Sequence, residues 1–394
     1  MKITDIKVAV VKGNFYWPII RIETDEGIIG YGEGRDYSPR HHAIPVKEGI
    51  LYLKRFLVGE DPTNVEPLFY KIRRYGSEGR FGGAVSGIEM ALWDIAGKAI
   101  GVPVYKLIGG KFRNRVRIYC DCHAGRPISD AMTDYDYKGA EEYYTPEAYA
   151  EAAKKIKAMG FTILKFDLHP EYAGEDAMIG NVPTEKALKY EVSVVQALRE
   201  AVGDDFPLAL DAYQGGTVRG AIMFGKAVDQ YRLMWIEDVL DWHDVEGFKQ
   251  VTSKIRTPTL TGEDVYTTAQ FRRLIQERAV DIVAPDMATH GGILENKKVA
   301  WLADLHGLSI APHFAGSPIS MMANVHAAAA MPNNLIAVEF HAVGVPWWDS
   351  LVKGVSKPII KNGYIDVPEK PGLGIELDEE EARKHLAEGE HFFE

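Results

Sequence analysis

Only two cysteines occur in the 394 residues, Cys120 and Cys122. A C-x-C pair on a strand puts both thiols on one face, too close for a relaxed bridge, so no disulfide framework holds this fold. They read as buried strand thiols rather than metal ligands. No run of about 18 apolar residues is present, which excludes a membrane-spanning helix. The opening MKITDIKVAVVKG alternates like a strand and lacks the apolar core of a signal peptide, so a cytoplasmic protein is expected. Basic residues are outnumbered, 45 Lys and Arg against 56 Asp and Glu, giving a net charge of −11. That sign is wrong for a nucleic-acid surface. It still allows an anionic small ligand, because a metal and local cations can set the field of one pocket. Internal repeats and low-complexity tracts are missing as well. What remains is a globular composition, and a chain long enough for two domains, one of them barrel-sized.

The chain is organised around residues 164–339, where a functional group recurs on a near-constant beat. Lys165 stands in ILKFD, Asp211 in LALDAYQ, Glu237 in WIEDV, Glu263 in TGEDV, Asp286 in IVAPDM, His313 in SIAPHF and Glu339 in AVEFH. From Asp211 onward the spacings are 26, 26, 23, 27 and 26 residues. Each group ends a short apolar run of the kind buried on both faces of a parallel sheet. A strand, a helix and two loops need roughly 25 to 30 residues, so there is one group per β/α unit. Polar groups at successive strand C-termini are the active-site pattern of a (β/α)8 barrel.

Taken in order, residues 3–11, 18–24 and 28–34 predict an antiparallel meander with a turn at Asp25-Glu26-Gly27. The aromatic loop Gly13–Trp17 could cover a ligand or pack at a domain interface. Helices are predicted at 42–58, 65–76 and 83–100, the last stopped by Gly101 and Pro103. From Val116 eight β/α units follow to about residue 350, with helices at 146–158, 185–202 and 217–230 among them. The first of these starts at Thr145-Pro146-Glu147. Two connections exceed what a βα loop needs, Gly125–Tyr144 and His169–Pro183, and both fall at the barrel mouth. Beyond Val352 a short hairpin, a Pro/Gly loop and an acidic helix are too small to stand alone. The expected division is therefore 1–115, 116–352, and a tail, 353–394, packing back on the N-terminal part.

Asp211, Glu237 and Glu263 bring three carboxylates to one cleft, where they repel unless a cation lies between them. An all-oxygen set favours a hard divalent ion, Mg2+ in particular. Asp286 can orient and raise the basicity of the His313 imidazole, giving a general base. Glu339, if protonated, could donate a hydrogen bond to an anionic intermediate, and crowding by other carboxylates would raise its pKa in that direction. Lys165 can neutralise a substrate carboxylate, and Asp167 points the same way along its strand. Together these groups suit removal of the proton next to a carboxylate.

At this point the sequence resembles the enolase superfamily, specifically its mandelate racemase subgroup (mandelate racemase/muconate lactonizing enzyme-like), over nearly the whole chain. The strongest local similarity is AVSGIEMALWDIAGKAIGVPVYKLIGGK, residues 84–111. The ordered Asp, Glu, Glu, Asp and His also match, as do Asp286 followed by Gly291-Gly292 and the late PGLGIELDEE. The resemblance implies a modified TIM barrel, (β/α)7β, under an α+β capping domain formed by the N-terminal part and the C-terminal tail. It implies Asp211, Glu237 and Glu263 as Mg2+ ligands, His313 with Asp286 as base, and Glu339 at the enolate. Lys165 matches the first lysine of a K-x-K motif whose second member is here Asp167, so a two-base racemase lacks its second base. The implied reaction is syn dehydration of a sugar acid to a 2-keto-3-deoxy acid, with His313 serving as base and then as acid. The alternative is a racemase, epimerase or cycloisomerase using Asp167 or His169 on the other face. A different class is a non-catalytic protein on an old enzyme fold. Tyr213, His169, His123, Trp17, Arg35 and Arg40 are candidates for contact with substrate. The family implies a homo-oligomer, dimer or octamer.

Overall fold

The computed structural model describes residues 1–35, 43–79, 81–123, 141–180, 182–212 and 216–393. Eight parallel strands form the central sheet: Arg115–Asp121, Leu164–Asp167, Leu208–Asp211, Ile236–Glu237, Thr259–Thr261, Ile282–Val283, Ser309–Ile310 and Val338–Phe340. Each pairs with its sequence neighbour, and the eighth pairs with the first, Glu339 opposite Tyr119. Between the seventh and eighth the gap is closed by a bridge from Ile310 to Leu335, with Ile310 N–H donating to Asn334 O at 3.0 Å. The sheet is a closed barrel.

Helices follow the first seven strands, among them Pro146–Ala158, Glu185–Val202 and Val218–Val228. The Thr145 side chain accepts from Ala148 N–H, with Pro146 at the first helical position, so the predicted start signal works as a cap. After the eighth strand only a 3-10 turn, Trp348–Leu351, is formed. The expected eighth β/α unit is therefore a strand without its helix, and the architecture is (β/α)7β. The Trp347-Trp348 pair explains the difference. Trp348 is buried against Phe340 and its indole N–H donates to Gly316 O at 3.1 Å, so this stretch seals the barrel rim instead.

Inside the barrel Tyr119, Ile163, Ala209, Trp235, Leu260, Ile282, Ala284, Ala311 and Ala337 make one apolar layer. Strand side chains alternate with a period of two, so the residue two further on points into the same lumen, one layer higher. Those residues include Asp121, Lys165, Asp211, Glu237, Asp286, His313 and Glu339. The packed layer is the floor on which the charged one stands.

The N-terminal meander, Ile3–Lys12, Tyr16–Thr24 and Ile29–Glu33, carries helices Ala43–Lys54, Val65–Ile72 and Gly82–Ile100, and caps the barrel. Close approach of the long helix to the sheet requires glycine: a Cβ on Gly32 would meet Gly87 O at 2.0 Å. The C-terminal tail folds back on this unit. Arg21 pairs with Glu379 at 2.8 Å, Leu373 N–H donates to Asp94 at 2.8 Å, and Ala387 N–H donates to Val10 O at 2.9 Å. The predicted tail hairpin is present as a tight turn, Lys361 bridging Tyr364 across Asn362-Gly363, and Tyr364–Asp366 also pairs antiparallel with Arg115–Arg117 at the base of the first barrel strand. Cys120 and Cys122 are free and buried, as expected. Among the described residues no helix is long and apolar enough to cross a membrane.

Two buried carboxylates of the cap are docked on barrel helices. Glu33 accepts from Ser317 N–H, at 3.0 Å, at the start of helix Pro318–Ala329. Glu89 accepts from Ile293 and Leu294 N–H at 2.8 and 3.1 Å, at the start of helix Gly292–Leu305, and from the Trp93 indole at 2.6 Å. Exposed helix N–H groups and the dipole both favour an acceptor there. Glu89→Ala would strand these donors in a dry interface, a loss of about 2–3 kcal/mol. Thermal melting should show a lower midpoint for Glu89→Ala than for an exposed control such as Glu66→Ala.

Candidate active site

Lys165, fully buried, reaches the centre of the barrel mouth. Its ammonium lies 2.8 Å from Asp211, 2.9 Å from Glu339, 3.0 Å from Glu237 and 3.2 Å from Asp121. Burial alone would lower the lysine, but those carboxylates hold it well above its ordinary value, so it is ionised. Strand register brings these groups together: Asp121 sits opposite Lys165, Asp167 opposite Asp211, and Asp211 opposite Glu237.

Asp211, Glu237 and Glu263 present carboxylate oxygens within 4.8 Å of one another, and all three are buried. Burial, and then repulsion from neighbouring carboxylates, raises Glu237 and Glu263 well above the ordinary range, and Asp211 less strongly. Glu237 Oε2 accepts from Lys165 and from the Trp235 indole, while its other oxygen, Oε1, is buried with no hydrogen-bond partner. An orphaned carboxylate oxygen in a cluster of three is what a hard cation would satisfy. The donor set therefore fits Mg2+, the ion expected from the sequence.

His313 Nδ1 lies 2.7 Å from Asp286 Oδ2, and its Nε2 faces the cluster, 3.1 Å from Glu263 and 3.6 Å from Glu339. Burial would raise Asp286, yet His313 and Arg35 bring it below its ordinary value, so it stays anionic. Arg35 arrives from the cap, its guanidinium 3.4 Å from Asp286 Oδ2 and stacked over Phe15 at 4.7 Å.

Glu339 corrects an expectation. Burial works to raise its carboxyl, but Lys165, His313 and His341 outweigh it and hold it at about 2. It is an acceptor, taking the Phe314 N–H at 3.0 Å, and not the protonated donor that crowding suggested. Crowding by carboxylates is real here; the cations are closer.

The remaining candidates scatter. Asp167 pairs with His123 at 3.0 Å, and His123 is held at a φ of 51° with its N–H on Asp121 at 2.8 Å. His169 turns away from the cluster: its Nδ1 meets Glu171 at 3.1 Å and its ring packs edge-on to Tyr144. It lines a lateral cavity of about 210 Å³ with Met178, Leu188 and Phe224. Trp17 is buried at the cap–barrel boundary, edge-to-face with Trp347 at 5.7 Å. So the aromatic loop packs at the domain interface, with Phe15 6.0 Å from His341 and Asn14 donating to His341 O. Tyr213, Arg40 and most of the Gly125–Tyr144 connection lie outside the described residues.

Two groups of the site escaped the sequence reading, Asp121 and His341. His341 Nε2 is 3.0 Å from Asp121 and 3.5 Å from Glu339. The signal was available: Asp121 ends the first strand, and His341 follows Glu339 by one strand period.

A closed barrel under an α+β cap, with an acidic, lysine-centred mouth, brings titratable groups from successive strand ends to one site. Comparison with known proteins places it further. Residues 8–109 match the family model described as the mandelate racemase / muconate lactonizing enzyme N-terminal domain, and residues 148–382 match that described as enolase C-terminal domain-like. The chain belongs to the enolase superfamily, in its mandelate racemase subgroup. A D-xylonate dehydratase of Haloferax volcanii is 36% identical over 401 residues, covering 100% of this chain and 91% of that protein. A D-galactonate dehydratase of Verminephrobacter eiseniae is 29% identical, covering 96% and 93%. The crystal structure of a mandelate racemase/muconate lactonizing enzyme-like protein from Rubrobacter xylanophilus has a TM-score of 0.92 at 36% identity, covering 100% and 99%.

The cluster generates a prediction about the protein without metal. Groups whose values are raised on folding contribute stability below the ordinary carboxylate range and lose it as pH rises through the raised values. Metal-free protein should therefore melt lower at about pH 8 than at about pH 5. Adding Mg2+ at about 100 times its Kd should restore about 2.7 kcal/mol at the higher pH. Asp211→Asn with Glu263→Gln should reduce the pH slope, Glu237 keeping its share, and remove the response to Mg2+ in the same melting experiment.

Proposed function

We propose that this protein is a Mg2+-dependent hydro-lyase that dehydrates a sugar acid, an aldonate or aldarate, to a 2-keto-3-deoxy acid. The observation that carries the reading is the His313–Asp286 pair, 2.7 Å apart, with the other ring nitrogen turned to the three clustered carboxylates, 3.1 Å from Glu263. The names of the two relatives support the same class of substrate. Asp211, Glu237 and Glu263 would hold the cation, which when bound would draw charge from the substrate carboxylate and make the adjacent C–H acidic.

His313 Nε2 is the base that takes the α-proton. Asp286 keeps Nδ1 protonated and stabilises the imidazolium that results, and the Glu339 carboxylate beside Nε2 does the same from the other side. Lys165 places a buried positive charge against the enediolate. The 3-hydroxyl then leaves as water, and in the simplest scheme His313 returns the proton it took. Arg35, beside Asp286, and His123, beside Asp167, are the candidates that would border the substrate, while Trp17 is committed to the cap–barrel packing.

A racemase or epimerase would need a second base on the opposite face. Asp167 pairs with His123, and His169 packs against Tyr144 beside a cavity that none of Asp211, Glu237 and Glu263 lines, which disfavours either in that role. We take the enzyme to work in the cytoplasm as a homo-oligomer, divided at residues 115/116 and 352/353.

The test is a panel of D-xylonate, D-gluconate, D-galactonate and related mono- and diacids, read as 2-keto acid formation with and without EDTA. At least one acid should react, in an EDTA-sensitive way. His313→Asn should lose about 10²–10⁴-fold in kcat with its Mg2+-dependent melting shift intact. α-Deuterium exchange without loss of water across the panel would overturn dehydration in favour of isomerisation.

A further inference from the structure

The barrel mouth holds two imidazole–carboxylate pairs. Asp286 and His313 come from the sixth and seventh strand ends. Asp121 and His341 come from the first and eighth, which are neighbours in the closed sheet. The two imidazoles face one another, ring centroids 5.6 Å apart at an angle of 66°. Glu339 stands between them, one oxygen 3.6 Å from His313 Nε2 and the other 3.5 Å from His341 Nε2. The proposed reaction needs two proton transfers on adjacent carbons, one from C2 and one to the oxygen on C3. The scheme above assigns both to His313, and nothing in it uses His341.

We propose that His341, held by Asp121, is the general acid that protonates the departing 3-hydroxyl while His313 acts only as base. The inference rests on the sugar acid dehydratase reading. In the step, His313 takes the proton from C2 and the C–H electrons pass into the enediolate. The enediolate collapses with cleavage of the C3–O bond, and a His341 ring N–H transfers its proton to that oxygen, releasing water. The enol that remains tautomerises to the 2-keto acid. His341 is then left neutral and His313 charged, and solvent restores both.

Four observations support this division. His341 is charged at rest: burial would lower it, but Asp121 and Glu339 raise it to about 10. Lys165, His123 and His313 are the cationic or titratable groups that also face this cluster, and none takes the place of its two anionic partners. The side chain is only 8% exposed, and neither ring nitrogen makes an aligned hydrogen bond, Nε2 lying 3.0 Å from Asp121 as an ion pair and Nδ1 having no partner. The ring is also packed on two sides, by His123 at 4.5 Å edge-on and by Phe15 at 6.0 Å, and Asn14 holds its backbone by donating to the His341 carbonyl. A buried, charged, immobilised imidazole opposite the base is what general acid catalysis requires.

The experiment uses whichever panel acid the wild type dehydrates, together with its 3-deoxy-3-fluoro analogue. Fluoride leaves without needing a proton. His341→Asn should lose about 10²–10³-fold in dehydration kcat. It should still exchange the α-proton with D2O, which His313→Asn should not. It should eliminate fluoride within about threefold of the wild-type rate. A merely structural His341 would depress dehydration, exchange and fluoride release together, and that outcome overturns the inference, as does a His341→Asn enzyme with undiminished turnover. Should His341→Asn fail to fold, as judged by its melting curve with Mg2+, His341→Gln is read by the same three rates. A wild type that forms no 2-keto acid from any panel member overturns the dehydratase reading itself, and this assignment with it.

Discussion

One buried ammonium surrounded by carboxylates governs the electrostatics of this protein. Lys165 touches four of them, and Glu263 stands beyond its reach in the same cleft. Isolated, any of these charges would be too costly to bury. Together they still leave the mouth with more negative than positive charge, even with His341 protonated. The excess is concentrated on Asp211, Glu237 and Glu263, the three whose values rise, while Asp121 and Glu339, which have the His341 cation beside them as well as Lys165, fall. The site is thus polarised. One side calls for a cation, and the other, already neutralised, is free to hold imidazoles for proton transfer.

Much of this was legible because a closed barrel turns sequence spacing into geometry. A side chain two residues beyond an inward apolar residue must enter the lumen one layer above it, and seven of the eight strands supply one; on the fifth, Gly262 takes that place and Glu263 follows it. Trp235 leads to Glu237, Ala284 to Asp286 and Ala311 to His313 by the same rule. The 26-residue stride then distributes the groups around the ring. The helix that follows the first strand was equally readable, since Thr145 and Pro146 act locally, within one turn.

The parts that escaped depend on contacts the sequence does not order. Asp121 lies between two cysteines and 44 residues ahead of Lys165, so no regular beat pointed to it, although strand pairing puts it next door. His341 was passed over as the neighbour of Glu339, when the same period of two that makes Trp235 and Glu237 share a face makes Glu339 and His341 do so. The ionisation of Glu339 could not be read at all, because it turns on whether Lys165 or the other carboxylates come closest. The missing eighth helix follows from two tryptophans used as a seal, and Trp347 in turn stacks on His385 of the tail at 3.6 Å, a partner 38 residues away.

The cap does more than close the pocket. Arg35 leans on Asp286, the carboxylate that orients the base, and Asn14 and Phe15 hold the strand end and ring of His341. Both imidazoles are therefore buttressed by segments that belong to the cap. The cap itself is locked to the barrel by buried carboxylates on helix starts, through Glu33 on Ser317 and Glu89 on Ile293 and Leu294. Helix Pro318–Ala329, which Glu33 engages, directly follows the strand that carries His313, so the same contact that docks the cap also fixes the base. An enzyme built this way can vary the loops that read a substrate's length and stereochemistry without moving the proton-transfer groups. The price is that any change at the docking carboxylates must be felt at both imidazoles together.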